Sequence, residues 1–494
     1  MSNKATINGL FWNGAESAIL QTVQLLVSMV LARLLTASDF GLIALISVFI
    51  SIANALVQGG FQSAIIVFHD LNDIDCSTAF VYNLVASVFI YFILFFSAPY
   101  IANFYNETHL ISLIRVLSLV NIIQAGYFVQ DAMLQRQMRF KLLAQRNIIA
   151  SIISGAIAIL MAYFGAGVWS LVSLTISRAV VINIYLWFKS VWKFSLKFSF
   201  NSFKKSFSFG SRMMATIVTG VIFNNLNSLL IGKFYTKADL GYYYQAKKLR
   251  DVPVESASGV LTKTSKPLLA GSKTEITALH NNYFNIIKIS SITIIPLVTL
   301  LFVTGRELIT VVFSSRWLNA VPIFRIIILS GLFTPFIVVN GLSPIVMGDS
   351  KYYLKLDTIM KIVFLAITFA ALQFGLLVFI ASQTITAFLQ MIVNAFVARK
   401  FYKVGIKKQI NIYLPHYIYC VIAGFLTWCL GYIPGIAPII KLILSIVIFV
   451  SLYGSMVYIF ERKTFNDVIK LIHSSVNKLK LKTNQQVAEK AVTV

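Results

Sequence analysis

Stretches of about twenty mostly apolar residues recur along nearly the whole chain, and no other feature restricts its fold as severely. A helix needs that length to cross a hydrocarbon layer about 30 Å thick, and inside the layer each backbone N–H and C=O must find its partner within the protein. Fourteen stretches qualify: 7–35, 40–68, 76–104, 109–134, 146–164 and 167–189 in the first half, then 207–234, 239–268, 282–304, 319–347, 352–373, 375–398, 412–432 and 437–460. The fold expected is an all-α integral membrane protein with fourteen transmembrane helices. Only 12% of the 494 residues are charged, about half the share of a soluble domain.

The charges that remain are distributed by topology. Formal net charge is +25, from 42 Lys and Arg against 17 Asp and Glu. In a soluble protein such an excess points to nucleic acid. Here it concentrates in every second loop: Arg136, Arg139, Lys141 and Arg146 after the fourth stretch, Lys189 to Lys205 after the sixth, Arg399 to Lys408 after the twelfth. Loops rich in Lys and Arg stay in the cytoplasm, so both termini are expected there, and no nucleic-acid partner is expected. The tail 463–494 reads as a basic, solvated end.

The three cysteines, Cys76, Cys420 and Cys429, are odd in number and lack metal-ligand spacing, which suits small core residues rather than disulfides or a metal site. No carboxylate pair, nucleophile triad or metal cluster stands on a long outer loop. Neither enzymatic chemistry nor a cofactor is expected.

The two halves of the chain resemble each other. Arg33 to Gly41 reads RLLTASDFG, and Lys233 to Gly241 reads KFYTKADLG, so a basic residue, Thr, Asp and Gly recur in the same places. Asp suits the cap of a following helix, and Thr and Gly suit a tight reversal. Arg115 and Arg325, Lys141 and Lys351, and Phe164-Gly165 and Phe374-Gly375 stand 210 residues apart. The expected organisation is an N-lobe (1–200) and a C-lobe (201–405) of six helices each, then two helices within 406–462. Six is even, so the repeats enter the membrane with the same orientation, and a substrate path is expected between them.

Polar residues cluster on the first two helices of each half. Gln24 belongs to a polar face that also carries Glu16, and Gln58 stacks with Asn54 and Gln62 at a spacing of four. Asn224 lies mid-helix in the seventh stretch, and Lys247, Lys248 and Arg250 lie in the eighth. Each charge at mid-bilayer costs at least about 2.5–3.5 kcal/mol, so these residues must be hidden from lipid. Pairing within the protein is the plainer reading for several of them, Lys247 with Asp251 and Arg250 with Glu255 among these. Arg178, midway along the sixth stretch, and the repeated Arg115 and Arg325 are harder to account for that way. Signed together, these charges form a basic cavity, and guanidinium groups favour phosphate. Arg178, Lys247, Lys248, Arg250, Arg115, Arg325, Asn224, Gln24 and Gln58 are the candidate cavity residues. Glu16 is the candidate ion-coupling carboxylate.

The segment VLARLLTASDFGLIAL (30–45) resembles the opening of the polysaccharide-transporter family, Wzx-type oligosaccharide flippases of the superfamily that also holds multidrug MATE exporters and lipid II flippases. DAMLQRQMRF (131–140), FGAGVWSLV (164–172) and GKFYTKADLGYY (232–243) extend the resemblance. It implies a flippase of the lipopolysaccharide or colanic-acid exporter branch, in a bacterial inner membrane. The protein would move undecaprenyl-diphosphate-linked oligosaccharide repeat units by alternating access, driven by an ion gradient or membrane potential. Membrane lipid, a polysaccharide polymerase and other assembly proteins would be its partners. The alternative on the same fold is a cation-coupled multidrug exporter, whose cavity would be acidic.

Overall fold

The structure, a computed structural model, describes residues 3–58, 60–67, 71–189, 192, 195, 197–431 and 433–462; the side chains of 3–18, Ser63, Phe209 and Arg212 lie outside the description. Among the described residues no strand occurs, and each of the fourteen apolar stretches is helical. Eleven helices are long and apolar enough to cross a membrane, and twelve if one bent pair counts as a single span. The remaining two stretches lie in the helix Asn3–Leu34, whose apolar part is Ile19–Leu34, and in the polar helix Lys237–Gly271. The protein is a multi-pass membrane protein. Two compact units divide inside this second helix: Met1–Lys248 with Val312–Ala320, and Leu249–Val311 with Val321–Val494.

The first unit contains α1 (Asn3–Leu34), α2 (Ala37–Gln58), α3 (Phe61–Val67), α4 (Asp73–Phe104), α5 (His109–Leu117), α6 (Leu119–Ala125), α7 (Phe128–Arg136), α8 (Phe140–Tyr163), α9 (Trp169–Phe188), α10 (Phe200–Phe234) and the start of α11 (Lys237–Gly271). The repeated turns are built alike. Thr36 Oγ1 donates to Asp39 Oδ2 at 2.7 Å, and Thr236 Oγ1 donates to Asp239 Oδ2 at 2.7 Å. In return each threonine hydroxyl accepts from its aspartate's backbone N–H, at 3.3 and 3.1 Å. This reciprocal pairing starts α2 and α11. The two turns also press on each other: a Cβ on Gly41 would overlap the carbonyl of Lys237, and one on Gly241 would overlap that of Ala37. Only glycine permits that approach.

The second and fourth stretches are not continuous helices. The second breaks before Gly60, which has φ +74° and lies so close to Gly210 that a Cβ would meet the Gly210 carbonyl. The fourth is split into α5, α6 and α7, with a 45° bend between α6 and α7. Breaking a helix in lipid frees carbonyls that need donors. Here Asn183 Nδ2 donates to Ile123 O at 3.0 Å and Trp187 Nε1 to Gly126 O at 2.9 Å, both from α9. Gly126 leaves room for the Asn183 amide, which a Cβ would meet at 2.7 Å. Asn183→Leu leaves Ile123 O with only the Gly126 N–H, at 3.2 Å, and is expected to cost about 0.5–1.5 kcal/mol, one hydrogen bond, and to lower the melting temperature of the purified protein in detergent.

The second unit continues with α12 (Ile276–Val303), α13 (Gly305–Val312), α14 (Ala320–Leu329), α15 (Thr334–Gly341), α16 (Ser343–Val346), α17 (Ser350–Ala371), α18 (Leu376–Tyr402), α19 (Ile406–Leu430) and α20 (Pro438–Phe460). The tenth stretch is broken by a 3₁₀ turn, Ser330–Phe333, and by Pro335 and Pro344 at the starts of α15 and α16. Asn394 of α18 donates to Ile337 O at 3.0 Å beside Gly341, as Asn183 does beside Gly126. Its core holds a buried chain of polar groups in which Tyr283 donates to Asn340 at 2.6 Å and Asn340 to Gln409 at 3.1 Å. Left-handed φ values occur at Met138 and Gly348, and at Gly165 and Gly375, two pairs each 210 residues apart.

Candidate functional site

Two chambers lie within the first unit, and α9 forms part of the wall of both. Thr175 and Arg178, three residues apart and so on one face of α9, line each of them.

The smaller, about 270 Å³, is bounded by α1, α2, α8, α9 and α11. Its polar lining includes Gln24, Ser151, Ser154, Arg178, Tyr244 and Lys248, and among the described residues no carboxylate lines it. Among the described residues neither Arg178 nor Lys248 has an ion pair or side-chain hydrogen bond. Two cations therefore share a half-buried chamber with no counter-charge in its wall among the described residues. Their mutual repulsion and partial desolvation are relieved by an anion placed between them. Phosphate oxygens suit a guanidinium fork and an ammonium group together.

The larger chamber, about 420 Å³, is lined by carboxamides. Asn54 and Gln58 come from α2 and Gln62 from α3. Asn83 (α4), Asn121 and Gln124 (α6) and Asn147 (α8) complete the set, with Tyr127 and Phe128 beside them. Its carboxylate, Asp131, is held by Arg146 Nη1 at 2.5 Å, with Gln62 and Gln135 donating to its other oxygen at 3.3 and 3.1 Å. Arg146, counted above among the cytoplasmic loop charges, is thus a buried residue of α8, because that helix starts at Phe140.

The other candidates lie elsewhere. Lys247 Nζ donates to Asn224 O at 2.9 Å, and the Asn224 side chain is exposed. Arg115 lies 4.2 Å over the ring of Phe95 and donates Nε–H to Phe95 O at 3.4 Å. Arg325 does the same in the second unit, donating to Phe302 O at 3.2 Å and lying over Trp428 at 4.2 Å. Arg250 pairs with the adjacent Asp251 at 2.8 Å and donates to Ser330 at 3.0 Å. The Glu16 side chain lies outside the described residues. Of the nine cavity candidates the structure brings Gln24, Arg178 and Lys248 into one chamber and adds Gln58 across the shared wall. Tyr244, Asn83, Asn121 and Asp131 belong to the chambers too, and hydropathy windows carry no signal for Asn83 and Asn121 because each is an isolated amide between apolar neighbours.

The chain is 26% identical over 382 residues to the teichuronic acid biosynthesis protein TuaB of Bacillus subtilis (strain 168), covering 76% of this chain and 79% of TuaB. It is 21% identical over 329 residues to the lipopolysaccharide biosynthesis protein WzxC of Escherichia coli (strain K12), covering 66% of this chain and 67% of WzxC. Its fold is similar to that of the lipid II flippase MurJ in an inward closed conformation, with a TM-score of 0.74 at 14% identity over 92% of this chain and 99% of that one. A family model described as "Polysaccharide biosynthesis protein" matches residues 30–322. Since that model spans more than half of its residues, the chain belongs to the polysaccharide biosynthesis protein family.

Proposed function

We propose that the protein is a flippase that carries undecaprenyl-diphosphate-linked oligosaccharide repeat units across the bacterial inner membrane, for assembly of lipopolysaccharide, capsule or exopolysaccharide. The observation that carries this reading is the chamber in which Arg178 and Lys248 stand together, with no ion-pair partner and no carboxylate in its wall among the described residues. A cationic drug would be repelled there, and a diphosphate would be held. In the second unit a cavity of about 380 Å³ lined by Phe302, Leu332, Val421, Phe425 and Trp428 offers apolar wall to a polyprenyl tail. The names of TuaB and WzxC place those relatives in polysaccharide synthesis, which supports the same reading.

The finer organisation belongs to this proposal. Fourteen spans, N- and C-lobes over 1–200 and 201–405, two further helices within 406–462 and both termini in the cytoplasm would serve alternating access. Matching details in the two halves support the repeat: Asn183 and Asn394 staple a broken helix, and Arg115 and Arg325 lie on a phenylalanine whose carbonyl they bind. Glu16 is the proposed coupling carboxylate, and a polysaccharide polymerase a proposed partner. Deleting the chromosomal copy is expected to abolish surface polysaccharide and leave its lipid-linked precursor in the inner leaflet. A deletion strain that keeps normal polymer and instead gains drug sensitivity would contradict the proposal.

A further inference from the structure

The larger chamber carries chemistry that binding a diphosphate does not use. Its seven carboxamides come from five helices, so no single helix face accounts for them. Each offers a donor and an acceptor, the pair that a sugar's neighbouring hydroxyls match. Asn121 is 0% exposed, and neither its Nδ2 nor its Oδ1 has a hydrogen-bond partner. Asn83, equally buried, spends Nδ2 on the carbonyl of Ala79 at 2.8 Å and leaves Oδ1 unpartnered. Burying such groups unpaired is costly, so a wall that keeps them points to a polar solute inside. A bare cation is disfavoured, because Asp131 is already engaged by Arg146, Gln62 and Gln135. Tyr127 and Phe128 add ring faces for the apolar side of a pyranose. The volume, about 420 Å³, lies within the roughly 300–1,000 Å³ of small-molecule sites.

We infer that this chamber is a saccharide subsite: it holds a hexopyranose unit of the head group, while Arg178 in the shared wall turns to the phosphate in the neighbouring chamber. The inference rests on the reading of the chain as a carrier of a lipid-linked saccharide and adds the site that reads the sugar. It divides labour between the chambers. The cationic one recognises what all such carriers share, the diphosphate, and the amide one recognises the glycan.

The test uses the full chain in lipid nanodiscs and four probes: undecaprenyl diphosphate without sugar, and the same lipid bearing one glucose, one galactose or one N-acetylglucosamine. For the wild type, at least one glycosylated probe is expected to bind roughly tenfold tighter than the sugarless one, the gain of one or two buried hydrogen bonds. Asn121→Leu and Asn83→Leu are each expected to erase that preference while retaining wild-type affinity for the sugarless probe, which also shows that they fold. Equal affinity of the wild type for all four probes, or an undiminished preference in both leucine variants, overturns the subsite. The double variant Arg178→Ala, Lys248→Ala reports separately on the anion site: it should lose the sugarless probe. If it binds that probe as the wild type does, the diphosphate reading falls, and the asparagine variants still decide the sugar.

Discussion

Gly241→Leu is expected to remove most of the folded protein from the membrane, and Gly41→Leu to do the same. At both positions the atom that a side chain would strike is a backbone carbonyl of the opposite turn, Ala37 for Gly241 and Lys237 for Gly41. A side chain can rotate away from a new neighbour, but a carbonyl held in a capped turn cannot. Thr36 with Asp39 and Thr236 with Asp239 fix both turns, so relief would require separating α2 from α11 at their first residues. The cost is on the order of 3 kcal/mol, the upper end for overpacking. Immunoblots of the membrane fraction and size-exclusion profiles of a fluorescent fusion would measure it. Gly220→Ala is the control, since no atom lies within 4 Å of its added Cβ, and it should accumulate normally.

The double variant Arg178→Ala, Lys248→Ala should reach the membrane at the wild-type level and export little or no surface polysaccharide. Removing the two cations deletes no ion pair among the described residues, so folding loses little and is relieved of like-charge repulsion. Each charge-assisted contact to a phosphate is worth about 1.5–3 kcal/mol, so the pair is worth at least a hundredfold in substrate affinity. The single variants Arg178→Lys and Lys248→Arg keep the charge and should retain partial export, with the arginine change more harmful because the fork is lost. Polymer assayed on whole cells, normalised to protein in the membrane, is the measurement. Arg115→Ala should behave differently: it removes a contact with Phe95, and its effect should fall on stability before export.

Helix positions were legible in the sequence because a span announces itself by length and hydropathy alone. The repeated turns were legible too, since Thr, Asp and Gly recur in register. What escaped were features whose cause lies far along the chain. The break at Gly126 is stabilised by Asn183 and Trp187, about sixty residues away, and no local signal marks the pairing. Arg146 read as a loop charge because a hydropathy window starts a span where the polar residues end, whereas α8 starts six residues earlier and buries the guanidinium against Asp131. Arg178 stood out because nothing in its own helix could pair with it. Asn83 and Asn121 did not, because an isolated amide in an apolar helix looks like any interhelical hydrogen bond until five helices are seen to turn such groups toward one space.

On this reading Arg178 and Lys248 of the first unit together move a diphosphate-linked sugar across the bilayer. Its most direct test is reconstitution of the purified full chain into vesicles carrying lipid-linked oligosaccharide in the inner leaflet, with a glycosidase added outside. Protein-dependent release of sugar is expected from vesicles with the wild-type chain and not from those with Arg178→Ala, Lys248→Ala. Equal release from both, or none beyond that of protein-free vesicles, would contradict it.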